Sequence, residues 1–503
     1  MGKIISFENL QAIKRKYRGK RIVHCHGVFD LLHYGHLLHL QSAKKHGDML
    51  VVTVTPDRFV NKGPGRPRFS EQKRAAMLVA LGIVDYVAIN KYPRATEAIL
   101  ALQPDFYAKG PDYKEQQKDI TGGITEEGAA VDSVGGKIVF TDDHTESATE
   151  LINEYLSHWD SEQQEAIAKV KKTMSLDSVL DAVNSLERLK VFVVGEPIID
   201  TYVFCQPEAL SSKSPTVSAN YLYQEDYAGG SLAIANHLSA LGCKVDLLIT
   251  HGGETYFKKI LKKSLSSNVK LHECVTKEVP TPRKTRFLTP FRAQRIFELM
   301  HLRADQWEKS DPQPFRKAIT THAKSKDVIL VADFGHGMFE GSVLDILGKV
   351  RSFMATNVQT NSGNFGFNPF TKQRKYDYLS IDERELRIAT HDRFTPVIKL
   401  ADGTVRKVVK KPTSITLATA GSIYYDKNGK SHRCPAFFKE VIDTTGAGDA
   451  YFAITSLLVK MGLPGQVVPF IGNCYAGLKT RILGNKSAVS KVDLVRTIQA
   501  ILK

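Results

Sequence analysis

Two short segments carry residue types that could act on phosphate. The first is His26-Gly27-Val28-Phe29-Asp30-Leu31-Leu32-His33-Tyr34-Gly35-His36, between a predicted strand and a predicted helix. A helix N-terminus presents unpaired N–H groups and a partial positive charge, so it attracts phosphate. Two histidines there add donors that can take up charge as negative charge builds. Gly35 leaves room for a ligand near the backbone. Such a cradle suits attack of one phosphate on the α-phosphorus of a nucleoside triphosphate, by positioning and electrostatics without a covalent intermediate. Taken alone, His33 and His36 also fit helix-capping surface histidines, or part of a zinc site whose third ligand is not close in sequence.

The second segment is Asp443-Thr444-Thr445-Gly446-Ala447-Gly448-Asp449-Ala450, leading into a helical run from Tyr451 to Lys460. Two glycines before a helix let successive N–H groups converge on one anion. Asp449 is placed to take a proton from a hydroxyl as that hydroxyl attacks a γ-phosphate. In isolation the same octet is a Gly-rich turn with an Asp cap. No Gly-x-x-x-x-Gly-Lys-Ser/Thr loop occurs, so P-loop chemistry is not expected.

Elements that could position these groups follow from periodicity. Arg21–Cys25 begins an apolar run, and a helical pattern spans His36–His46. Met49–Thr55 predicts a buried strand, and Ser70 caps a helix through Leu81. Val84–Ile89, Asp105–Ala108 and Gly136–Phe140 predict further strands, with helices over Thr96–Leu102 and Thr149–His158. Strands alternating with helices imply a parallel sheet covered on both faces. Residues 159–189 are charged, helix-prone and free of Gly and Pro, which predicts a helical connector. The α/β rhythm resumes at Val191–Gly195 and continues through Val245–Thr250, Val328–Ala332, Tyr378–Ile381 and Ser414–Ala418.

The chain has 503 residues, enough for two or three domains at roughly 100–200 residues each. A 42% hydrophobic content allows sizeable cores. No apolar run reaches the ~18 residues that span a bilayer, and Met1–Leu10 lacks a signal-peptide core, so no membrane partner and a cytoplasmic location are expected. The six cysteines are scattered and predict neither disulfides nor a metal site. The net charge of +16 is dispersed among acids and suits phosphate substrates; no nucleic-acid partner is expected.

The first segment resembles the His-x-Gly-His nucleotidyltransferases, within the cytidylyltransferase-like group, and above all the adenylyltransferase half of bacterial bifunctional heptose kinase/adenylyltransferases. Ala43-Lys44-Lys45-His46-Gly47-Asp48, the helix start Glu71–Arg74, Lys109-Gly110-Pro111-Asp112-Tyr113 and Thr145-Glu146-Ser147-Ala148-Thr149 extend the likeness over roughly residues 20–157. The resemblance implies a Rossmann-like domain. In it His33 and His36 contact the α- and β-phosphates, Lys44 binds triphosphate, and Gly27, Phe29, Asp30, Arg74, Lys109, Ser147 and Thr149 form the nucleotide site. The arginine that many cytidylyltransferases carry before the Ser/Thr run is absent, which favours ATP over CTP.

The second segment resembles the signature of the ribokinase-like (PfkB) sugar kinases. Gly195–Asp200, Ala228-Gly229-Gly230-Ser231 with Asn236, Lys284-Thr285-Arg286-Phe287 and Asp333-Phe334-Gly335-His336-Gly337 match in order, over about residues 190–500. The likeness implies a larger α/β domain with a small lid. Asp449 is then the catalytic base. Thr419, Gly421, Gly446, Ala447 and Gly448 bind nucleotide, and Asp200, Gly229, Gly230, Asn236, Arg286 and Glu385 bind substrate. Three positions depart from the pattern: Asn361 lies where many members have Asp-Pro-Lys, Asp382 replaces an asparagine, and Ser422 replaces a glycine. The order of the halves is reversed relative to the heptose enzymes.

The expected organisation is a nucleotidyltransferase over 1–158, a connector over 159–189 and a sugar kinase over 190–503. The expected product is an activated nucleotide sugar such as ADP-heptose for cell-surface glycan. The alternative is a cytidylyltransferase for a polyol phosphate, joined to a drifted, ligand-sensing kinase-like module. Substrates are a sugar phosphate and a nucleoside triphosphate with Mg2+, no metal is expected to be bound by direct protein ligation, and a homo-oligomer, most simply a dimer, is expected.

Overall fold

The computed structural model describes residues 2–60, 64–110, 123–141, 159–211, 213–291 and 293–503. The predicted helix Thr149–His158, the residues Ser147 and Thr149, and most of the loop after Lys109 lie outside them. The chain forms two compact units, Met1–His158 with Gln499–Lys503, and Trp159–Ile498.

In the first unit six strands, β1 (Lys3–Ile5), β2 (Ile22–Gly27), β3 (Met49–Val54), β4 (Tyr86–Ile89), β5 (Phe106–Lys109) and β6 (Lys137–Phe140), form a sheet of order β1-β4-β3-β2-β5-β6. Every pairing is parallel. β3 is buried along its whole length, as a central strand covered on both faces must be. The order reverses at β2, with β3 on one side and β5 on the other. Ligands of open parallel sheets bind at such a switch point, beyond the carboxyl ends of the strands. The segment Gly27–His36 leaves β2 at that place.

In the second unit β7 (Lys190–Gly195), β10 (Lys244–His251), β11 (Val269–Val275), β14 (Val328–Asp333), β15 (Phe353–Val358), β16 (Tyr378–Asp382), β17 (Thr413–Thr416), β18 (Ser422–Tyr425) and β19 (Ser431–Cys434) form a nine-stranded sheet. Its order is β11-β10-β7-β14-β15-β16-β17-β18-β19, parallel up to β17 and antiparallel at the β17–β18–β19 edge. Four further strands, β8 (Pro197–Leu210), β9 (Val217–Gly230), β12 (Arg283–Leu288) and β13 (Arg295–His301), make a separate sheet of order β13-β12-β8-β9. This is the expected lid, built on two 14-residue strands.

The connector residues form two helices, Ser161–Thr173 and Leu176–Ser185. The first packs within the second unit. Ala166, Ile167 and Val170 are buried, Gln163 Nε2 donates to Ala436 O at 2.7 Å, and the Trp159 ring meets Phe437 edge-on at 5.7 Å. All six cysteines are free thiols, five of them buried and Cys274 half-buried. Among the described residues no helix is long and apolar enough to cross a membrane.

Candidate functional site

The first candidate site is built at the end of β2. His33 is the extended residue that precedes the helix Tyr34–Lys44, and His36 lies in that helix's first turn. Their rings meet at a tilt of 40° with centroids 3.9 Å apart, and Phe29 packs on His36 at 5.3 Å. Phe29 adopts φ +50°, and its ring lies over Gly27, where a Cβ would stand 3.0 Å from Cε2. A side chain at position 27 would therefore displace the ring that supports His36.

Asp30 and Arg74 shape the loops around this cradle from inside. Asp30 Oδ1 accepts from the backbone of Arg68 (2.6 Å) and Phe69 (3.1 Å), and Oδ2 pairs with Arg66 Nη1 at 3.2 Å in a buried ion pair. Arg74 is wholly buried and donates to the carbonyls of Val28, Thr55 (2.8 Å) and Phe69 (2.9 Å) and to Asp57 Oδ1 (2.5 Å). Its guanidinium is spent on the protein, so it braces the loops around the cradle. Lys109, at the end of β5, is buried against Glu127 with an N–O distance of 2.6 Å.

Lys44 is a correction. It closes the helix that His36 opens, roughly 12 Å away at 1.5 Å per residue. Its ammonium pairs with Asp85 at 2.5 Å and donates to Asp48 O at 2.8 Å. It ties the far end of the helix to the sheet and is not at the cradle. Two histidines to which the sequence analysis gave no role stand behind the cradle on β2. His24 Nε2 and His26 Nδ1 each lie 2.8 Å from Thr53 Oγ1. Burial drives His26 down to about 3 and His24 well below its usual value, so both stay neutral.

The second candidate site gathers residues from four parts of the second unit. Gly446, at φ +76°, caps the helix Ala447–Lys460, and Asp449 stands buried in its first turn. The N–H groups of Gly448 and Asp449 lie where a helix offers no carbonyl partner. Lys479, fully buried, donates to Thr445 O (2.8 Å) and Gly484 O (2.7 Å), which fixes the Gly-rich turn. Asp443 braces the same turn: it accepts from Tyr202 Oη (2.6 Å), Thr445 N (3.0 Å) and Gly484 N (2.8 Å) and pairs with Arg295 (2.8 Å). Burial raises its carboxyl, but these bonds outweigh burial and hold it at about 2.

Around Asp449 the charges are alternately signed. Asp200 accepts from Arg286 Nη1 (2.5 Å) and from Asn485 Nδ2 (3.1 Å). A Cβ on Gly229 would stand 2.1 Å from Asp200 Oδ2, so the first glycine of the pair is dictated by that carboxylate. Gly230 takes φ +60° before the helix Ser231–Ala240. Burial is the largest influence on Asp449 and raises it to about 6, with Asp200 adding to the rise and a bond from Gln359, Lys284 and Lys479 opposing it. Burial lowers the Lys284 ammonium, against the pull of Asp200.

Several expectations change here. Asn236 is not part of the cluster: its amide donates to Ser264 O (2.8 Å) and accepts from Ser266 N (2.9 Å), which ties its helix to a neighbouring turn. Glu385 is buried in a reciprocal cap with Asp382, each carboxylate accepting from the other's N–H at 2.7 Å. Asp382 thus does the capping work that an asparagine could do. Burial first, then Asp382, raises Glu385 well above its usual value. Thr419 lies exposed in the turn Ala418–Ala420, and Gly421 follows at φ +90°, where a Cβ would strike Cys434 O at 2.1 Å. Ser422 is buried, with Oγ donating to Asn473 Oδ1 at 3.0 Å, so this departure points into the core. Asn361 Nδ2 donates to Phe334 O at 2.7 Å. Gln359, Lys284, Lys479 and Asn485 were not singled out as site residues; the sequence signals are that Lys284 opens a motif segment and Gln359 lies two residues before Asn361.

A mostly parallel sheet, a glycine-capped helix presenting a buried carboxylate and a four-stranded side sheet carrying an Asp–Arg pair define an α/β kinase of small hydroxylated substrates. Residues 188–462 match the model of the pfkB family of carbohydrate kinases, and the chain belongs to that family. Residues 24–165 match the cytidylyltransferase-like family. Over its N-terminal part the chain is 41% identical over 153 residues to "Bifunctional protein HldE" of Campylobacter fetus subsp. fetus, covering 30% of this chain and 31% of that protein. It is 42% identical over 144 residues to the protein of that name from Methylobacillus flagellatus, 28% of each. The matches thus span about a third or less of those relatives. The second unit's fold is shared with phosphofructokinase-2 from Escherichia coli, at TM-score 0.50 and 12% identity over 63% of this chain and 100% of that one.

Proposed function

We propose that the chain is a bifunctional enzyme whose second unit phosphorylates a sugar hydroxyl and whose first joins a sugar 1-phosphate to a nucleoside monophosphate, releasing pyrophosphate. A heptose is the favoured sugar, ATP the favoured nucleotide and ADP-heptose for cell-surface glycan the favoured product. The HldE name of the N-terminal relatives and the kinase family of the rest support this reading. The observation that carries it is Asp449, a buried carboxylate at a glycine-capped helix start beside the Asp200–Arg286 pair. Asp200 and Arg286 orient the sugar, Asp449 takes the proton from the attacking hydroxyl, and the turn at Gly446–Gly448 meets the charge on the transferred group. In the first unit His33 and His36 meet the charge that develops on the α- and β-phosphates. Mg2+ enters with the nucleotide, whose phosphates supply its hard oxygen donors.

The test is sugar-dependent ADP formation by wild type and Asp449→Asn across heptoses and common hexoses. Asn keeps the shape and removes the base, so the rate should fall by ~10²–10⁴ with folding unchanged. Wild type that binds a sugar yet forms no more ADP than the variant would establish a sensing module in place of a kinase.

A further inference from the structure

Away from both sites, three ligand-type side chains converge on one face of the large sheet. Asp246 is on β10, His272 on the neighbouring β11, and His322 ends the helix Gln313–His322 that covers them. Asp246 and Leu248 share a face of β10, as do His272 and Cys274 on β11. Leu248 packs with Phe315 and Ile319 of that helix, and Cys274 packs against the same cluster, so the three side chains lie between sheet and helix. The register sets Leu248 opposite His272. Each of the three residues offers one ligand atom, and these atoms lie within 4.8 Å of one another. His272 Nε2 is 2.8 Å from Asp246 Oδ2, and the two imidazoles stack with centroids 3.8 Å apart.

We propose that Asp246, His272 and His322 form a binding site for a divalent transition cation, Zn2+ or its neighbours Co2+ and Ni2+. Two imidazoles and one carboxylate suit these ions, and bonds of about 2.0–2.2 Å bring ligand atoms within about 4 Å of each other. Small side-chain rotations close the remaining gap. The ligands stand on two strands and a helix rather than on loops, which is what a precise site requires. Lys326 occupies the other carboxylate oxygen, with Nζ 2.5 Å from Asp246 Oδ1. Its charge opposes a cation and sets the affinity below that of an all-neutral surround. The ion would staple the covering helix to β10 and β11.

The experiment uses full-length protein freed of metal with a chelator and titrated with CoCl2, followed by visible absorption, and with ZnCl2, followed by calorimetry. Wild type should develop the visible absorption of low-coordinate cobalt and bind zinc, and excess zinc should raise the thermal midpoint of the second unit by about 2 °C or more. His272→Ala and His322→Gln, each checked by circular dichroism for intact folding, should weaken zinc binding by about 10–100-fold. Lys326→Met should tighten it. Kinase and nucleotidyl-transfer rates should be unchanged in all three variants. Absence of the cobalt band in wild type, or zinc binding that survives intact in both histidine variants, would overturn the site.

Discussion

Gln359 Nε2 donates a 2.8 Å hydrogen bond to Oδ1 of Asp449, and the same nitrogen donates to Asn357 Oδ1 at 2.9 Å. Gln359, two residues before the departure at Asn361, therefore touches the proposed base directly. The bond favours the ionised carboxylate and works against the burial that raises it to about 6. Kinase kcat/KM should rise with pH up to about 6 and flatten above, because the base must be ionised. Gln359→Leu removes the donor, so the limb should move to higher pH. A pH–rate profile of both proteins checks this; coincident limbs would separate Gln359 from the base.

His36→Ala should lower nucleotidyl transfer by ~10²–10³ and leave sugar phosphorylation nearly unchanged. The ring lost is the one that packs against His33 and Phe29 at the helix start. Pyrophosphate and ADP release, measured on the same preparation, check both halves. Pyrophosphate release above half the wild-type rate would remove His36 from the reaction.

Asp443 links stability to pH. Its folded pKa is about 2, against an ordinary 3.8. A depressed carboxylate stabilises the fold above its unfolded pKa, and that contribution is lost as pH falls through the folded value. The shift corresponds to about 2 kcal/mol. Asp443→Asn should therefore cost about that at pH 7, and the gap to wild type should shrink from about pH 4 towards pH 2. Urea unfolding at pH 7 and at pH 3 gives the two values.

The helix Ser161–Thr173 gives a prediction about fragments. Gln163, Trp159 and the buried face Ala166–Ile167–Val170 join it to the second unit. A fragment starting at Trp159 should unfold at a higher temperature than one starting at Leu186, and the shorter fragment should expose apolar surface to a hydrophobic dye. Equal thermal midpoints would show the helix to be dispensable.

Much of this arrangement was legible because the groups proposed to react lie in contiguous runs. The spacing in His33–His36 and in Gly446–Asp449 places each group at a helix start, which is a local property. The parallel strands show as β-branched runs, because a doubly covered strand needs apolar residues on both faces. Long-range contacts were not legible in this way. Lys44 lies in a family-like segment, yet ten residues of helix carry it away from the cradle. Asn236 matches in spacing, and only the turn at Ser264–Ser266 shows where its amide is used. Lys479 reaches Thr445 across 34 residues of sequence, and Asn485 reaches Asp200 across 285. Helical periodicity in 159–189 predicts a helix, but the core that the helix covers is set by its partners.

The buried thiols have a practical consequence for labelling chemistry. Alkylation requires an accessible thiolate. Burial holds Cys25, Cys243 and Cys434 up at about 12, raises Cys474 well above its usual value, and raises half-buried Cys274 as well. The five buried thiols are thus slow to react with maleimides at neutral pH, and Cys274 is the one to replace first. A single cysteine introduced at exposed Phe297 on the four-stranded side sheet would carry a fluorophore as a fast-reacting position, so the surroundings of that sheet could be followed with only Cys274 replaced.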